Sequence, residues 1–251
     1  MTDAIPPTMT VVQPAPASPS ALRSGRAHLR LWFLALICLF ADLWSKAWAF
    51  DSIKVGEVRP FIRGILEFRL SLNPGALFGL GSGLVPVFII ASIAALAFVI
   101  YLFAGTRREQ WVMHAALALI FAGAMGNLYD RTIMQRDLLR FKAVDGRQPF
   151  SLLGDIEGDR SANVIKFRPW GDARHAQQVS RDELTDDPRR VGVVRDFLKI
   201  RLQVGKRELW PWVFNLADVF LVVGVGVLLL SYTARSPAPA SATTPVAEQA
   251  V

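Results

Sequence analysis

The sequence predicts an α-helical integral membrane protein, with four transmembrane helices, a small strand-bearing outer segment and a second, inserted outer segment. Three observations carry this expectation. The 251 residues are 52% apolar with a mean hydropathy of +0.33, yet 20% are charged, so apolar and charged residues must be segregated along the chain. Three apolar runs match the roughly 20 residues that a helix needs to cross a hydrocarbon core, and a fourth, shorter run reaches that length with a more polar continuation. Arginines gather in the segments that four crossings place on one side.

The runs follow in order. Leu31–Ala41 is apolar and continues as a more polar stretch to Phe50; it qualifies as a span if Asp42 and Lys46 sit near its outer end. Leu84–Ala104 carries no charge, and Trp111–Leu128 carries none if His114 is neutral. Pro211–Tyr232 contains one charge, Asp218. The first run also imitates a cleaved signal peptide, with Arg23, Arg26 and Arg30 before it and Ala47-Trp48-Ala49 as an A-x-A site. The thirty preceding residues and the crowding by Asp42, Lys46 and Trp48 argue against that reading.

Met1–Leu22 and Ser236–Val251 are rich in Pro, Ala, Ser and Thr and lack a periodic apolar face, so both ends read as disordered tails. The expected division is a cytoplasmic tail at 1–29, a membrane core at 30–131 and 193–235 with an outer segment at 51–83, an extracytoplasmic insertion at 132–192, and a tail at 236–251. Arg23, Arg26, Arg30, the Arg107-Arg108 pair and Arg235 share the tail side, which the positive-inside rule makes cytoplasmic. Lys54, Arg59, Arg63 and Arg69 on the outer side weaken that contrast. Tyr101, Trp111, Tyr129, Trp210 and Trp212 fall near span ends, where interfacial aromatics belong.

In the first outer segment Leu66–Leu72 alternates with period two, a half-buried strand closed by the turn former Asn73-Pro74-Gly75. The second, Tyr129–Trp210, is long for a plain loop and reads as a small folded insertion or a flap. Within it Thr132–Gly192 is nearly neutral, with eleven Lys and Arg against ten Asp and Glu. Phe150–Leu153 and Val164–Phe167 suit short strands or membrane-dipping patches, and the acidic runs 155–159 and 182–187 read as solvated turns.

Several functions are excluded. One cysteine, Cys38, makes no internal disulfide, and His28, His114 and His175 are too scattered for a zinc site, so neither a metal nor a cofactor is expected. The membrane accounts for the net charge of +7, and no nucleic-acid partner is expected. The glycines of 79–83 are followed by no Gly-Lys-Ser/Thr and form no phosphate loop. Ser45 and Lys46, adjacent on a helix, do not face each other as nucleophile and base; Lys46 is expected as an interfacial charge paired with Asp42, four residues earlier.

The informative residues are carboxylates where lipid should be. An aspartate near a bilayer centre costs about 2.5–3.5 kcal/mol on insertion scales. Counted from Pro211 at 1.5 Å per residue, Asp218 lies roughly 10 Å into the last helix, with Asn215 on the same face. Asn127 and Asp130 repeat this three-residue spacing at the outer end of the third span, followed by Arg131. Asp196 stands in an apolar context before the fourth. Two neighbouring aspartates share one proton, so that one activates water while the other polarises a carbonyl, which suffices for metal-free peptide hydrolysis. The competing reading is that Asp218 and Asp130 join helices through Asn and Arg partners. Spacing alone does not choose which two carboxylates pair.

Five segments in order, attached to four spans, resemble the signal peptidase II family, the lipoprotein signal peptidases of bacteria. They are Asp42-Leu43-Trp44-Ser45-Lys46, Leu72-Asn73-Pro74-Gly75-Ala76-Leu77-Phe78-Gly79, Gly126-Asn127-Leu128-Tyr129-Asp130-Arg131, Val194-Arg195-Asp196-Phe197 and Phe214-Asn215-Leu216-Ala217-Asp218. The resemblance spans about Leu31 to Tyr232 apart from the insertion. It implies an inner-membrane aspartic endopeptidase that cuts diacylglyceryl-modified prolipoproteins just before the lipid-bearing cysteine, with Asp196 and Asp218 as the catalytic dyad. It implies that Asn127, Asp130 and Arg131 support the site and substrate, as do Asp42, Lys46 and Asn215. It also implies that Asn73, Gly75 and Phe78 line a substrate groove beside an extracytoplasmic β-cradle. The implied partners are lipidated prolipoproteins and membrane lipid, and a monomer suffices.

The chain departs from the family pattern in the sixty-one residues of Thr132–Gly192 and in its long tails. Arg195 places a cation next to Asp196 in sequence, which would lower the pKa of that acid if the side chains met. Two other classes remain at this level: a small transporter using Asp218 and Asp130 as a proton or cation relay, and a membrane scaffold whose insertion binds a partner. A relay fits poorly with four spans that lack an inverted repeat or broken helices.

Overall fold

The computed structural model describes residues 20–75, 84–143, 148–172, 175–205 and 207–233. Four of its helices are long and apolar enough to cross a membrane: α1 (Gly25–Ser52), α2 (Val85–Ala104), α3 (Trp111–Ile133) and α4 (Leu216–Thr233). Between α1 and α2 lie β1 (Arg59–Ile62) and β2 (Leu66–Asn73). Between α3 and α4 lie β3 (Gln135–Phe141), β4 (Phe150–Glu157), β5 (Val164–Pro169), β6 (Gln177–Ser180) and β7 (Arg189–Gly192). They are followed by β8 (Val194–Ile200), β9 (Gln203–Val204), β10 (Arg207–Glu208) and β11 (Val213–Phe214).

α3 is the central helix and packs against α1, α2 and α4. Its small residues Ala116, Ala118, Ala122, Gly123, Ala124 and Gly126 are buried, the composition that lets membrane helices approach closely. The outer helices invert the pattern of a soluble protein. On α1 the exposed positions include Leu29, Phe33, Leu36, Phe40 and Trp44, at helical spacing. The opposite face buries Ala27, Leu31, Ala35 and Cys38, and then Asp42, Ser45 and Lys46. A helix that is apolar outside and polar inside is at home in lipid, where polar groups must find partners within the bundle. Lys46 is therefore not the interfacial charge the sequence suggested: it is wholly buried.

Two boundaries differ from expectation. α1 begins at Gly25, so the last residues of the expected tail 1–29 are helical; Ser24 caps the helix by accepting a hydrogen bond from the Ala27 N–H. α4 begins at Leu216, not near Pro211, because Val213 and Phe214 pair as β11 with β8. Asp218 thus lies in the first turn of α4 rather than 10 Å inside it.

Two antiparallel sheets sit on the helices. The first has the order β1-β2-β8-β11, and β2 is the strand that the alternation of Leu66–Leu72 announces. It packs on the end of α1 through Ala49, Ile53, Leu70, Phe197 and Leu198. The second, β6-β5-β4-β3-β7, is the folded body of 132–192, with its own core of Leu139, Ile165, Phe167, Val179 and Leu184. The stretches 150–153 and 164–167 are strands of this sheet. The acidic run 155–159 is not simply a turn, since Asp155 to Glu157 end β4 and Glu157 pairs with Lys166 and Arg168.

The second sheet is fixed to the rest at two places. Trp170, just after β5, stacks on Phe50 of α1 with ring centroids 6.1 Å apart. Gly171 beside it has φ +97°, and a Cβ there would come within 2.7 Å of Val55, so a side chain would break this contact. At the other end β7 and β8 belong to different sheets yet are separated by Val193 alone, whose N–H donates to the Met134 carbonyl at 2.8 Å.

Candidate active site

The site is assembled where the ends of α1 and α3, strands β2 and β8 and the start of α4 meet. The sequence Asn215-Leu216-Ala217-Asp218 closes the first turn of α4 reciprocally. The Asp218 N–H donates to Asn215 Oδ1 at 3.1 Å, and the Asn215 N–H donates to Asp218 Oδ2 at 3.1 Å. This is a capping box built from Asn and Asp. The next free donor, the Ala217 N–H, is taken by Asp42 Oδ1 of α1 at 2.9 Å. Backbone groups that would be orphaned in lipid are thereby satisfied, and negative charge faces the positive end of the helix dipole.

Asp196 comes from β8. In the β2–β8 ladder Ser71 lies opposite Asp196 and Asn73 opposite Val194, so Asn73 and Asp196 are diagonal neighbours on one face. Asn73 Nδ2 donates to Asp196 Oδ2 at 3.2 Å, and Asn215 Nδ2 donates to Asp196 Oδ1 at 2.6 Å. Asn215 thus touches both Asp196 and Asp218. Asp196 is 2% exposed; burial, and then the charge of Asp218, push its pKa up to about 8, against the opposing pull of the Asn215 and Asn73 amides and of Lys46.

Behind the two aspartates lies a buried network. Lys46 Nζ is 2.8 Å from Asp42 Oδ2 and 3.4 Å from Asp130 Oδ2, and donates to Asn127 Oδ1 at 3.1 Å. A lysine can only donate, so it fixes the Asn127 amide with its nitrogen outward, and Asn127 Nδ2 donates to Asp218 Oδ1 at 2.8 Å. Asn215 Nδ2 lies 3.2 Å from Asn127 Oδ1. Asp130 is closed by Arg195, whose Nη2 and Nε reach Oδ1 at 2.8 and 3.2 Å and whose backbone N–H reaches Oδ2 at 3.0 Å. Gly126 makes room for this arrangement, since a Cβ there would lie 2.2 Å from Asp42 Oδ2.

The remaining expected site residues are less uniformly placed. Arg131 lies over the Phe88 ring of α2 at 5.1 Å, within the field of Asp218, Asp196 and Asp130, and its buried Nε has no hydrogen-bond partner among the described residues. Gly75, at φ +85°, donates its N–H to Asn73 Oδ1 at 3.0 Å and so fixes the Asn73 amide. Phe78 lies outside the described residues. An apolar groove of about 240 Å³ opens beside Asp218, between Ile200, Trp210, Phe214, Val219 and Val222.

Arg195 would lower the pKa of Asp196 only if the two side chains met, and they do not: Arg195 points to Asp130, because successive residues of a strand face opposite sides. The pKa of Asp196 is raised, not lowered. The strand signal of Val194–Leu198 was available to reveal this. The N-x-x-D box would likewise have located the start of α4.

The chain matches the family model described as Signal peptidase (SPase) II over residues 34–234. It is similar to the lipoprotein signal peptidase of Bifidobacterium longum subsp. infantis, with 36% identity over 126 residues, covering 49% of this chain and 68% of the relative. It is also similar to the lipoprotein signal peptidase of Desulfitobacterium hafniense, with 29% identity over 200 residues, covering 80% and 90%. Among solved structures it resembles a bacterial membrane enzyme determined by the in meso method, with a TM-score of 0.52 at 20% identity, over 87% of this chain and 96% of the other. At that identity the likeness concerns the fold alone.

Proposed function

We propose, from the premise that this chain belongs to the signal peptidase II family, that Asp196 and Asp218 form its catalytic dyad. The family is one of proteases that remove signal peptides from prolipoproteins, and four apolar helices make this chain a multi-pass bacterial membrane protein. The finer reading is an aspartic endopeptidase acting on diacylglyceryl-modified prolipoproteins immediately before the lipidated cysteine. One observation carries it: two carboxylates from different elements converge on Asn215.

The roles follow from the surroundings. With its pKa near 8, Asp196 keeps its proton at neutral pH. Lys46 pairs with Asp42 and Asp130, and Arg195 closes Asp130 from the other side. Asp218 takes a proton from water as the water oxygen attacks the scissile carbonyl carbon. Asp196 hydrogen-bonds the carbonyl oxygen and supplies the proton that the developing oxyanion needs. Collapse breaks the C–N bond as Asp218 passes its proton to the cysteine nitrogen and Asp196 takes one back from a hydroxyl of the intermediate, which leaves a carboxylic acid, a free amine and both aspartates as they began. Asn215 holds the two acids in register, Asn127 carries the Lys46 charge to Asp218, and Arg131 Nε is a donor free for a substrate carbonyl. The apolar groove beside Asp218 suits a substrate that carries acyl chains at its scissile bond.

The proposed setting is the inner membrane with both termini cytoplasmic and the dyad at the extracytoplasmic side. The β1-β2-β8-β11 sheet acts there as a cradle for the peptide, and the second sheet is a fixed wall modulating access. The relay reading gains nothing from the network, because Lys46 and Arg195 saturate Asp130. A cleavage assay on a lipidated precursor tests the proposal. Asp196→Asn and Asp218→Asn should each lower turnover by at least about 10²–10⁴-fold in protein that folds and inserts; near wild-type cleavage by either variant removes that residue from the dyad.

A further inference from the structure

The opposite ends of α1 and α3 hold a second polar feature. A cavity of about 690 Å³ lies between the start of α1 and the turn joining α2 to α3, lined by Arg23, Arg26, Arg30, Arg108, Glu109 and Trp111. Four guanidinium groups there meet one carboxylate, and Glu109 is already taken by Arg108 Nε at 2.6 Å. Neither Arg23 nor Arg26 has an ion-pair partner among the described residues. Arg30 Nη1 donates to the Arg108 carbonyl at 3.1 Å, so this arginine bridges α1 and the turn. The first turns of both α1 and α3 open on this side, each adding N–H groups without intrahelical acceptors.

The cavity has an apolar neighbour. Arg30 and Trp111 also line an adjoining groove of about 390 Å³, whose other walls are Phe33, Leu34 and Ala115. Phe33 and Trp111 are both 63% exposed on helix faces that lie along the membrane. A pocket for negative charge thus continues, past a shared arginine and an interfacial tryptophan, into an apolar groove running along two transmembrane helices.

We propose that this is a binding site for one anionic phospholipid of the tail-side leaflet. Its phosphate lies among Arg23, Arg26, Arg30 and Arg108, and one acyl chain lies against Phe33 and Ala115. Guanidinium forks match phosphate oxygens in pairs, and basic pockets at the cytoplasmic ends of transmembrane helices suit anionic head groups. A free phosphate or nucleotide would use the arginines and leave the groove empty. The bound lipid joins the start of α1 to the α2–α3 connection, which the segment just before α1 already reaches through the Ala21 N–H donating to the Thr106 carbonyl at 2.9 Å. The site requires only that the helices cross the membrane and stands apart from the proposed dyad.

The test uses the full chain in detergent, read by native mass spectrometry and thermal unfolding with phosphatidylglycerol, phosphatidylcholine or inorganic phosphate alone. Wild type should retain one phosphatidylglycerol, melt at higher temperature with it, and lose it as ionic strength rises. Arg26→Gln and Arg108→Gln should each weaken retention roughly fivefold. Ala115→Trp, which fills the groove without touching charge, should weaken it too. Equal retention of phosphatidylcholine, or salt-independent binding by wild type, overturns the proposal without recourse to any variant. Equal protection by inorganic phosphate alone, with Ala115→Trp unaffected, makes it a soluble-anion site and also overturns the lipid reading.

Discussion

Arg195 and Asp130 are bound to each other by three hydrogen bonds, two from the guanidinium and one from the backbone N–H, and Asp130 is wholly buried. The residue adjacent in sequence to one member of the proposed dyad therefore serves a carboxylate on the other side of the strand. It ties β8 to the end of α3, and thus fixes the depth at which Asp196 is presented.

Arg195→Met should consequently act on stability and geometry together. Removing one partner of a buried ion pair costs about 3–5 kcal/mol, and Lys46 beside Asp130 keeps the loss near the lower figure. Thermal unfolding in detergent measures this. Arg195→Met in an Asp130→Asn background should cost less than it does alone, which a double-mutant cycle reads directly. Strict additivity would refute the coupling.

The pH dependence has a defined sign. The raised pKa of Asp196 means that the folded protein holds a proton which the unfolded chain releases near pH 4. Its stabilising contribution is full below that pH and fades as pH rises toward 8. Turnover should likewise fall on the alkaline side near pH 8, as the acid loses its proton. Asn73 donates to Asp196 and favours its charged form, so Asn73→Ala should move the alkaline limb to higher pH while lowering the maximal rate. A limb that stays in place or moves down would contradict the assignment.

Replacing residues 135–191 with a short Gly/Ser linker should leave a folded, active enzyme. The ends to be joined are already held by the hydrogen bond from Val193 to Met134, so closure costs little. Gly192 must stay, because a Cβ there would lie 1.9 Å from the Arg131 carbonyl oxygen. The shortened protein should cleave with raised KM or changed precursor preference and a kept kcat. If it folds and inserts but cleaves no lipidated precursor, the second sheet supplies something essential.

Topology is open to labelling. With Cys38 replaced by Ala, a cysteine at Arg107 should resist a membrane-impermeant reagent added to intact cells, while one at Asp159 should react. The grounds are the arginines of the short α2–α3 turn and the exposed position of Asp159 in the loop between β4 and β5 of the second sheet. The reverse pattern would invert the proposed orientation.

Much of this was legible in the sequence because lipid imposes strict rules on composition. Four spans could be counted from apolar runs alone, and Leu66–Leu72 announced its strand by alternation. Asp218 and Asp130 stood out as charges that hydrocarbon does not tolerate. What stayed illegible depends on partners distant in the chain. Lys46 looked interfacial, since only the folded bundle brings Asp42, Asn127 and Asp130 around its ammonium. Pro211–Phe214 looked helical, since only β8 can recruit Val213 and Phe214 into a sheet. The choice of Asp196 over Asp130 rested on family resemblance. The structure supplies a physical distinction: Asp130 is committed to Lys46 and Arg195, whereas Asp196 faces amides and Asp218.

The single residue between β7 and β8 sets a rule of parity. Side chains of a strand alternate, so the number of residues between the anchoring Met134–Val193 hydrogen bond and Asp196 decides which of Arg195 and Asp196 faces Asp218. Adding two residues there preserves the order of faces. Adding one exchanges them, turning an arginine toward Asp218 and an acid toward Asp130, unless a bulge absorbs it. Changes in length within 135–191 leave that count unaltered. Next to Val193 a change of one residue reverses the two faces unless a bulge intervenes, so length changes at this junction should be tolerated by even steps.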